Sequence, residues 1–488
     1  MKNKISTFTF AAFLAAVLFY STRVSAQVLY GLTSAGGDYL AGTIFSITPS
    51  GDFKTFASLN PTFAATPYGS LLYASDNNFY ASSVDGGYGG SCTIFKCDHN
   101  GMLTTMINLD SVWGSSEPQG NGLLQAMDGN LYGMTTMGGP NTFGVIFKLQ
   151  LSGQYSALHF FNDIDGGSPY GSLIQTKDGN LWGMTSGGGG DSLSPGYGNI
   201  FSCSPTGIYT SVFNFNDSDG AVPYGDLLLA NDGNFYGLTS QGGLYGFGVL
   251  FRYSPTSNTY TKLVDFNGTK GAYPTGSLIQ ATDGKLYGLT SGQRYYYSYY
   301  PDSTNGTYST LFSCTLSGNL TTLVYFNDSI NGLLPLGTLS QASDGNLYGM
   351  TSYGGKYNLG TIFQYSLSNQ FNKLLDFSGE TGYNPMFGKV IEVDNLPAGL
   401  TEISHIQGTG LFPNPNNGQF TVRLSTNCNY GSMEVYNTLG QKVFASALQP
   451  GVADNNINMG SEPNGVYLYR VLNATGNVIS NGKFVIQK

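Results

Sequence analysis

Asp128-Gly129-Asn130-Leu131-Tyr132-Gly133-Met134-Thr135-Thr136 is the stretch whose reading decides the fold, because the chain repeats it. Its centre is an apolar-aromatic-Gly step followed by Thr or Ser and usually Gly-Gly. The step recurs at Leu29-Tyr30-Gly31, Phe79-Tyr80-Ala81, Leu181-Trp182-Gly183, Phe235-Tyr236-Gly237, Leu286-Tyr287-Gly288 and Leu347-Tyr348-Gly349. The seven aromatics follow one another at intervals of 50, 52, 50, 54, 51 and 61 residues. Strand-like units at such a period predict a radial or stacked repeat rather than one ordinary core.

Working outward, residues 224–267 contain one whole unit. Four short apolar or β-branched runs are separated by Asn-Asp-Gly-Asn, Gln-Gly-Gly and Pro-Thr-Ser-Asn, which predicts a four-stranded meander. The first turn carries Asp-Gly in five units, where Gly accepts positive φ. Asp76-Asn77-Asn78 replaces it in another, since Asn tolerates the same region. The third strand is marked by Thr43-Ile44-Phe45 and its copies, the first by Ser70-Leu71-Leu72 and its copies. The repeat opens on a second strand, Val28-Leu29-Tyr30, and closes on an unpaired first strand, Gly388-Lys389-Val390-Ile391-Glu392-Val393. The two fragments complete one unit and leave no open sheet edge. The expected fold is therefore all-β: a closed seven-bladed β-propeller of four-stranded blades over residues 27–393.

Composition bounds the rest. Only 10% of the 488 residues are charged, the net charge is −9, and aromatics reach 14%. A chain without a basic footprint is not expected to bind nucleic acid. Residues 1–26 read as a secretory signal peptide: Lys2 and Lys4, an apolar run from Phe8 to Tyr20, and Val24-Ser25-Ala26 before Gln27. The run is short for a membrane span and no second one follows, so no transmembrane segment is expected in the mature chain. Cys97, Cys203 and Cys314 occupy one repeat position in separate units. That puts them beyond the roughly 7 Å reach of a disulfide, and all five cysteines, with Cys92 and Cys428, are expected to be buried free thiols.

The unit resembles kelch-type propeller blades, without their usual strand-four Trp. It is more closely similar to the GloVer repeats of secreted bacterial tandem-repeat proteins, on Asp128 to Thr136 and its copies. That family carries no established activity, so the resemblance transfers no catalytic residue. After Val393 the pattern stops. Residues 394–408 read as a linker, and residues 409–488 as a small module of alternating strands, expected to be an Ig-like β-sandwich. Phe412-Pro413-Asn414-Pro415, Leu439-Gly440-Gln441-Lys442-Val443, Asn464-Gly465-Val466-Tyr467 and a tail ending in Lys488 occur in order. Together they resemble the type A C-terminal sorting domain of the type IX secretion system of Bacteroidota. The resemblance implies the type IX secretion machinery as a partner. It also implies export through the periplasm to the extracellular space or outer-membrane surface.

Candidate sites fall on loops. The insertion that stretches the last interval carries Tyr295, Tyr296, Tyr297, Tyr299 and Tyr300, whose amphipathic rings suit stacking on sugars or protein surfaces. The alternative is a loop packed on itself. Asp226 and Lys389 break a Ser/Thr/Gly pattern at the mouth of the first strand, a hint of site-specific polarity beside the plainer reading of two tolerated substitutions. The linkers with Asp163 and Asp165, and with Asp217 and Asp219, offer oxygen ligands for Ca²⁺ but lack the twelve-residue loop and its closing Glu, which favours plain turns. No other cofactor is implied. His99, His159 and His405 have no partner at metal-ligand spacing, and no Gly-x-Ser-x-Gly elbow occurs. The leading expectation is a non-catalytic module that binds a polysaccharide or surface protein. The alternatives are a polysaccharide lyase or glycosidase using acidic residues at the channel mouth, and a structural component of the surface or biofilm.

Overall fold

The computed structural model describes residues 27–87, 92–109, 122–190, 196–293, 307–326, 328–393, 410–423, 430–437, 441–449, 452, 454–473 and 478–488. Among them the chain is built from antiparallel sheets. Helix is confined to a 3-10 turn at Asp217–Asp219 and one turn at Asp328–Asn331. Within 27–393 there are seven four-stranded sheets, one per repeat. A representative sheet runs Leu124–Gln125, Leu131–Thr135, Val145–Leu149, Tyr155–Phe160. The sheet nearest the N-terminus is composite: Ile391–Glu392 pairs with Leu29–Thr33, with Leu29 opposite Glu392 and Tyr30 opposite Ile391.

The repeated motif makes this sheet for definable reasons. The Gly of each apolar-aromatic-Gly step lies opposite the Phe of the third strand, as Gly133 opposite Phe147 and Gly237 opposite Phe251. A Cβ on Gly237 would stand 2.4 Å from Phe251 Cζ, so the missing side chain is the space the ring fills. The Thr that follows meets the Thr opening the third strand, hydroxyl to hydroxyl, at 2.8 Å for Thr33 and Thr43 and 2.9 Å for Thr351 and Thr361. The turn Asp binds the phenol four residues on: Tyr80 donates to Asp76 at 2.7 Å, Tyr132 to Asp128 at 2.9 Å and Tyr348 to Asp344 at 2.7 Å. Asp-Gly-Asn-Leu-Tyr is thus one hydrogen-bonded unit, and its aspartates are committed to the turn. Trp182 cannot make that bond, and its buried Nε1 has no acceptor among the described residues.

Two details refine the sequence reading. The Asp-Gly turn closes a three-residue loop. Gly129 N–H donates to Ala126 O and Ala126 N–H to Asn130 O, so the loop is residues 127–129 with Gly129 left-handed at φ 79°, the turn-plus-bulge solution. The first strand also begins two residues later than expected, at Leu72, Leu124, Ile174, Leu228, Ile279, Ser340 and Ile391. The residues before it bond to the neighbouring sheet instead.

A contact unseen in the sequence ties sheet to sheet at the other end of that strand. Gln125 Oε1 accepts from Ser75 N–H of the preceding unit at 2.8 Å, Gln175 from Met127 at 2.7 Å, Gln280 from Asn231 at 2.8 Å and Gln341 from Thr282 at 2.9 Å. In the composite sheet Glu392 takes the same role toward Ser343 N–H at 2.6 Å. Apolar clusters fill the space between sheets. One joins Tyr30 and Leu32 of the first unit to Phe79 and Phe95 of the second, and another joins Leu29 and Phe45 to Tyr348 and Ile362 of the last. Cys92, Cys97, Cys203 and Cys314 are free and buried, and burial pushes the Cys203 and Cys314 thiols up to about 11. Cys428 lies outside the described residues.

Residues 410–488 form a three-stranded sheet (Gly410–Phe412, Gln419–Arg423, Asp454–Asn458) and a four-stranded sheet (Lys442–Ala447, Tyr430–Tyr436, Gly465–Asn473, Val478–Ile486). Alternating side chains from both, among them Phe420, Val422, Val435, Ile457, Val471 and Phe484, share one core.

Candidate functional site

The segment that enters the first strand reads Pro-x-Gly followed by Ser, Thr or Asp in five of the seven units, at 67–70, 169–172, 223–226, 274–277 and 335–338, and Pro385-Met386-Phe387-Gly388-Lys389 takes its place in the composite unit. The residue before the Pro is left-handed in every described copy: Thr66 at φ 52°, Ser168 at 49°, Val222 at 56°, Tyr273 at 54°, Leu334 at 53° and Asn384 at 51°. For side chains such as Val and Thr this conformation is costly and persists only when over-determined. Backbone bonds pin it from both sides. Val222 N–H donates to Tyr197 O, and Val222 O accepts from Ser240 N–H, a pattern repeated at Thr66, Ser168, Tyr273 and Asn384.

These pinned entries bring the glycines of successive units together. A Cβ on Gly171 would lie 2.4 Å from Gly225 O, one on Gly225 2.4 Å from Gly276 O, one on Gly276 2.0 Å from Gly337 O, one on Gly337 2.0 Å from Gly388 O, and one on Gly388 2.5 Å from Gly69 O. The last step returns to the second unit from the C-terminal end of the repeats. The following residue in each unit forms a chain of side-chain bonds to its neighbour. Gly122 N–H donates to Ser172 Oγ at 2.9 Å, Ser172 N–H to Asp226 Oδ1 at 2.5 Å, Asp226 N–H to Ser277 Oγ at 2.7 Å, Ser277 N–H to Thr338 Oγ1 at 2.9 Å and Lys389 N–H to Ser70 Oγ at 3.2 Å. Lys389 has no acceptor to offer, so Thr338 N–H turns to Gly388 O at 3.3 Å.

Above this ring lies a small open depression. Its floor includes Ser70, Ser172, Asp226, Ser277 and Thr338, and Tyr170, Tyr224 and Phe387 stand at its sides. Tyr170 and Tyr224 meet edge to face with centroids 4.8 Å apart, and Phe387 meets Tyr68 at 6.2 Å. All four rings are half-buried. Asp226 is the one charged residue among those lining the depression. Its Oδ2 has no hydrogen bond or ion pair among the described residues.

The structure therefore brings Asp226 and Lys389 onto one ring, with Asp226 lining the depression and Lys389 contributing its amide. It also gives Asp226 a structural duty that the sequence reading missed. Tyr68, Tyr170, Tyr224 and Phe387 were missed as well, although for the three tyrosines the recurring Pro-Tyr-Gly before the first strand carried the signal. Tyr295, Tyr296, Tyr297, Tyr299 and Tyr300 lie outside the described residues. The two acidic linkers close on themselves. Asp165 Oδ1 accepts Asn162 N–H at 3.0 Å and its Oδ2 stands 3.1 Å from His159 Nε2. Asp219 Oδ2 accepts from the Asn216 amide at 2.7 Å, and Asp163 and Asp217, one in each linker, are exposed. Among the described residues no three His, Cys, Asp or Glu side chains converge on a common point. His159 stacks on Tyr209 at 4.0 Å. Burial holds its imidazole below its ordinary pKa against the opposing pull of Asp165.

In the C-terminal module the motif residues gather round the last strand. Asn414 Oδ1 accepts Val485 N–H at 2.9 Å, Gly465 pairs with Ile486, and Tyr467 donates to Pro463 O at 2.8 Å. Lys488 Nζ donates to Gly460 O and Glu462 O, both at 2.6 Å. Phe412 is exposed beneath the Arg423 guanidinium at 4.7 Å, Pro413 and Pro415 are exposed, and Gly440 lies outside the described residues.

Residues 21–231 and 191–413 match the Gloeobacter/Verrucomicrobia repeat. The chain belongs to that family. Residues 410–487 match the secretion system C-terminal sorting domain, so this repeat protein carries the signal for type IX export to the cell surface or extracellular space. No described helix is long and apolar enough to cross a membrane. No curated protein matches the chain. Among solved structures, a putative 6-phosphogluconolactonase from Bacteroides uniformis is 15% identical over 75% of this chain and 100% of its own, with a TM-score of 0.49. PorZ, a surface component of the type IX secretion system of Porphyromonas gingivalis, is 12% identical with a TM-score of 0.40. That match covers 91% of this chain and 63% of PorZ. TolB from Acinetobacter baumannii is 14% identical over 71% of this chain and 78% of its own, with a TM-score of 0.37.

Proposed function

We propose that this repeat protein is a secreted seven-bladed β-propeller whose ring mouth binds a glycan without catalysis. In this reading residues 1–26 are a signal peptide, 27–393 the kelch-like propeller, 394–408 a linker and 409–488 an Ig-like sorting module. The observation that carries the binding reading is the depression at the ring. Half-buried aromatic side chains stand around a floor of hydroxyls, the combination of apolar faces and converging polar groups that suits a sugar ring. Glycosidic hydrolysis ordinarily asks for two facing carboxylates, and the lining offers Asp226 alone. A protein ligand is the second reading, favoured by exposed Tyr39, Leu40, Leu244, Tyr245 and Tyr357 on loops between second and third strands.

A glycan array probed with the secreted chain, with and without chelator, tests the proposal. Tyr224→Ala should abolish saturable binding while leaving the circular dichroism unchanged. Retention of every interaction in Tyr224→Ala, and its loss in a variant with Tyr295 to Tyr300 changed to Ser, would move the site to the insertion. Loss on chelation alone would move it to the acidic linkers.

A further inference from the structure

Resting on the glycan-binding reading, we infer that the sugar admitted at the ring mouth carries a protonated amine, which Asp226 receives. Four of the five floor positions are hydroxyls: Ser70, Ser172, Ser277 and Thr338. Each hydroxyl oxygen accepts a neighbour's amide and keeps its own hydrogen to donate. The fifth, Asp226, spends Oδ1 on Ser172 N–H, as a serine there would spend its hydroxyl. The structural duty therefore does not call for a carboxylate. What the carboxylate adds is a second oxygen and a negative charge.

That oxygen can only accept, and among the described residues nothing donates to it. Neither Asp226 nor Lys389, the cation of the same ring, makes an ion pair among the described residues. Tyr170 and Tyr224 line the same depression, and aromatic faces attract ammonium groups. A polyol with one ammonium, an amino sugar without its N-acetyl group, matches the donors and the one acceptor. A lysine side chain would supply the ammonium but leave the floor hydroxyls without partners.

Isothermal titration of the intact secreted chain tests this with a β-1,4-linked glucosamine tetramer and its fully N-acetylated counterpart. The free amine should bind about tenfold more tightly, the scale of one charge-assisted hydrogen bond, and the preference should shrink as salt rises. Asp226→Ser and Asp226→Asn both keep an acceptor for Ser172. Each should fold as the parent does and lose the tenfold preference. Equal or tighter binding of the acetylated tetramer, or a preference that survives both substitutions, overturns the inference and leaves the glycan-binding reading standing. Failure of both tetramers and of the whole array overturns both. Binding of Nα-acetyl-lysine methylamide, lost in Asp226→Ser while no sugar binds, replaces the sugar with a protein amine.

Discussion

Asp226 shows how a residue can look functional and be structural as well. From sequence it stands out as a charge in a row of small polar residues. In the structure it holds the amide of Ser172 as its serine counterparts hold theirs. Asp226→Ala should therefore cost about 1 kcal/mol in urea unfolding, the scale of one lost hydrogen bond, and Asp226→Ser close to nothing. His159 gives the opposite lesson. Its stack on Tyr209 is reproduced one unit later by Phe213 on Tyr260, at 4.1 Å and nearly parallel, so the position asks for a flat ring rather than an imidazole. Burial lowers its folded pKa below the unfolded 6.5, so the unfolded chain binds the proton first. The neutral form's advantage is present above pH 6.5 and is lost as pH falls toward the folded value. His159→Phe should leave Tm at pH 7.5 nearly unchanged and reduce its decline between pH 6.5 and 5. A variant whose decline matches the parent's would assign the acid sensitivity elsewhere.

At the scale of the element, the four-stranded unit was legible because its grammar is local. Turn Asp to phenol, Gly under Phe and Thr against Thr are contacts within one unit, and each leaves a repeated residue pair in the sequence. The contacts between units were not legible. Gln125, Gln175, Gln280 and Gln341 looked like polar ends of short strands, and only the apposition of sheets shows each one gripping a turn amide of its neighbour. Gln280→Leu should thus destabilise by about 1 kcal/mol. It should not abolish folding, because Leu229, which has no amide to offer, fills the equivalent place in another unit. Gly276→Ala is expected to be harsher. A Cβ there meets backbone 2.0 Å away rather than a movable side chain, and a loss of about 3 kcal/mol or failure to fold is the expected outcome. Soluble expression with a parental Tm would show that the ring can spread.

At the scale of the molecule, the chain's two ends of the repeat region meet, as the half-units at Leu29 and Ile391 predicted. Gly388 against Gly69 and Lys389 N–H on Ser70 Oγ carry the same junction to the second unit. Deleting 388–393 should expose the edges of that sheet and drive aggregation, whereas residues 27–396 should remain a soluble β-rich monomer without the sorting module. The site was less legible than the fold. A depression lined by residues of six units is written as short segments some fifty positions apart, and no local motif announces it.

Hydrogen–deuterium exchange of the secreted chain with a bound glycan, against the free chain, tests the account most directly. Protection should appear together in peptides covering 68–70, 170–172, 224–226, 275–277 and 387–389, segments that only the ring unites. Protection confined to one linker, to the insertion near Tyr295, or to residues 410–488 would contradict a binding site at the ring mouth.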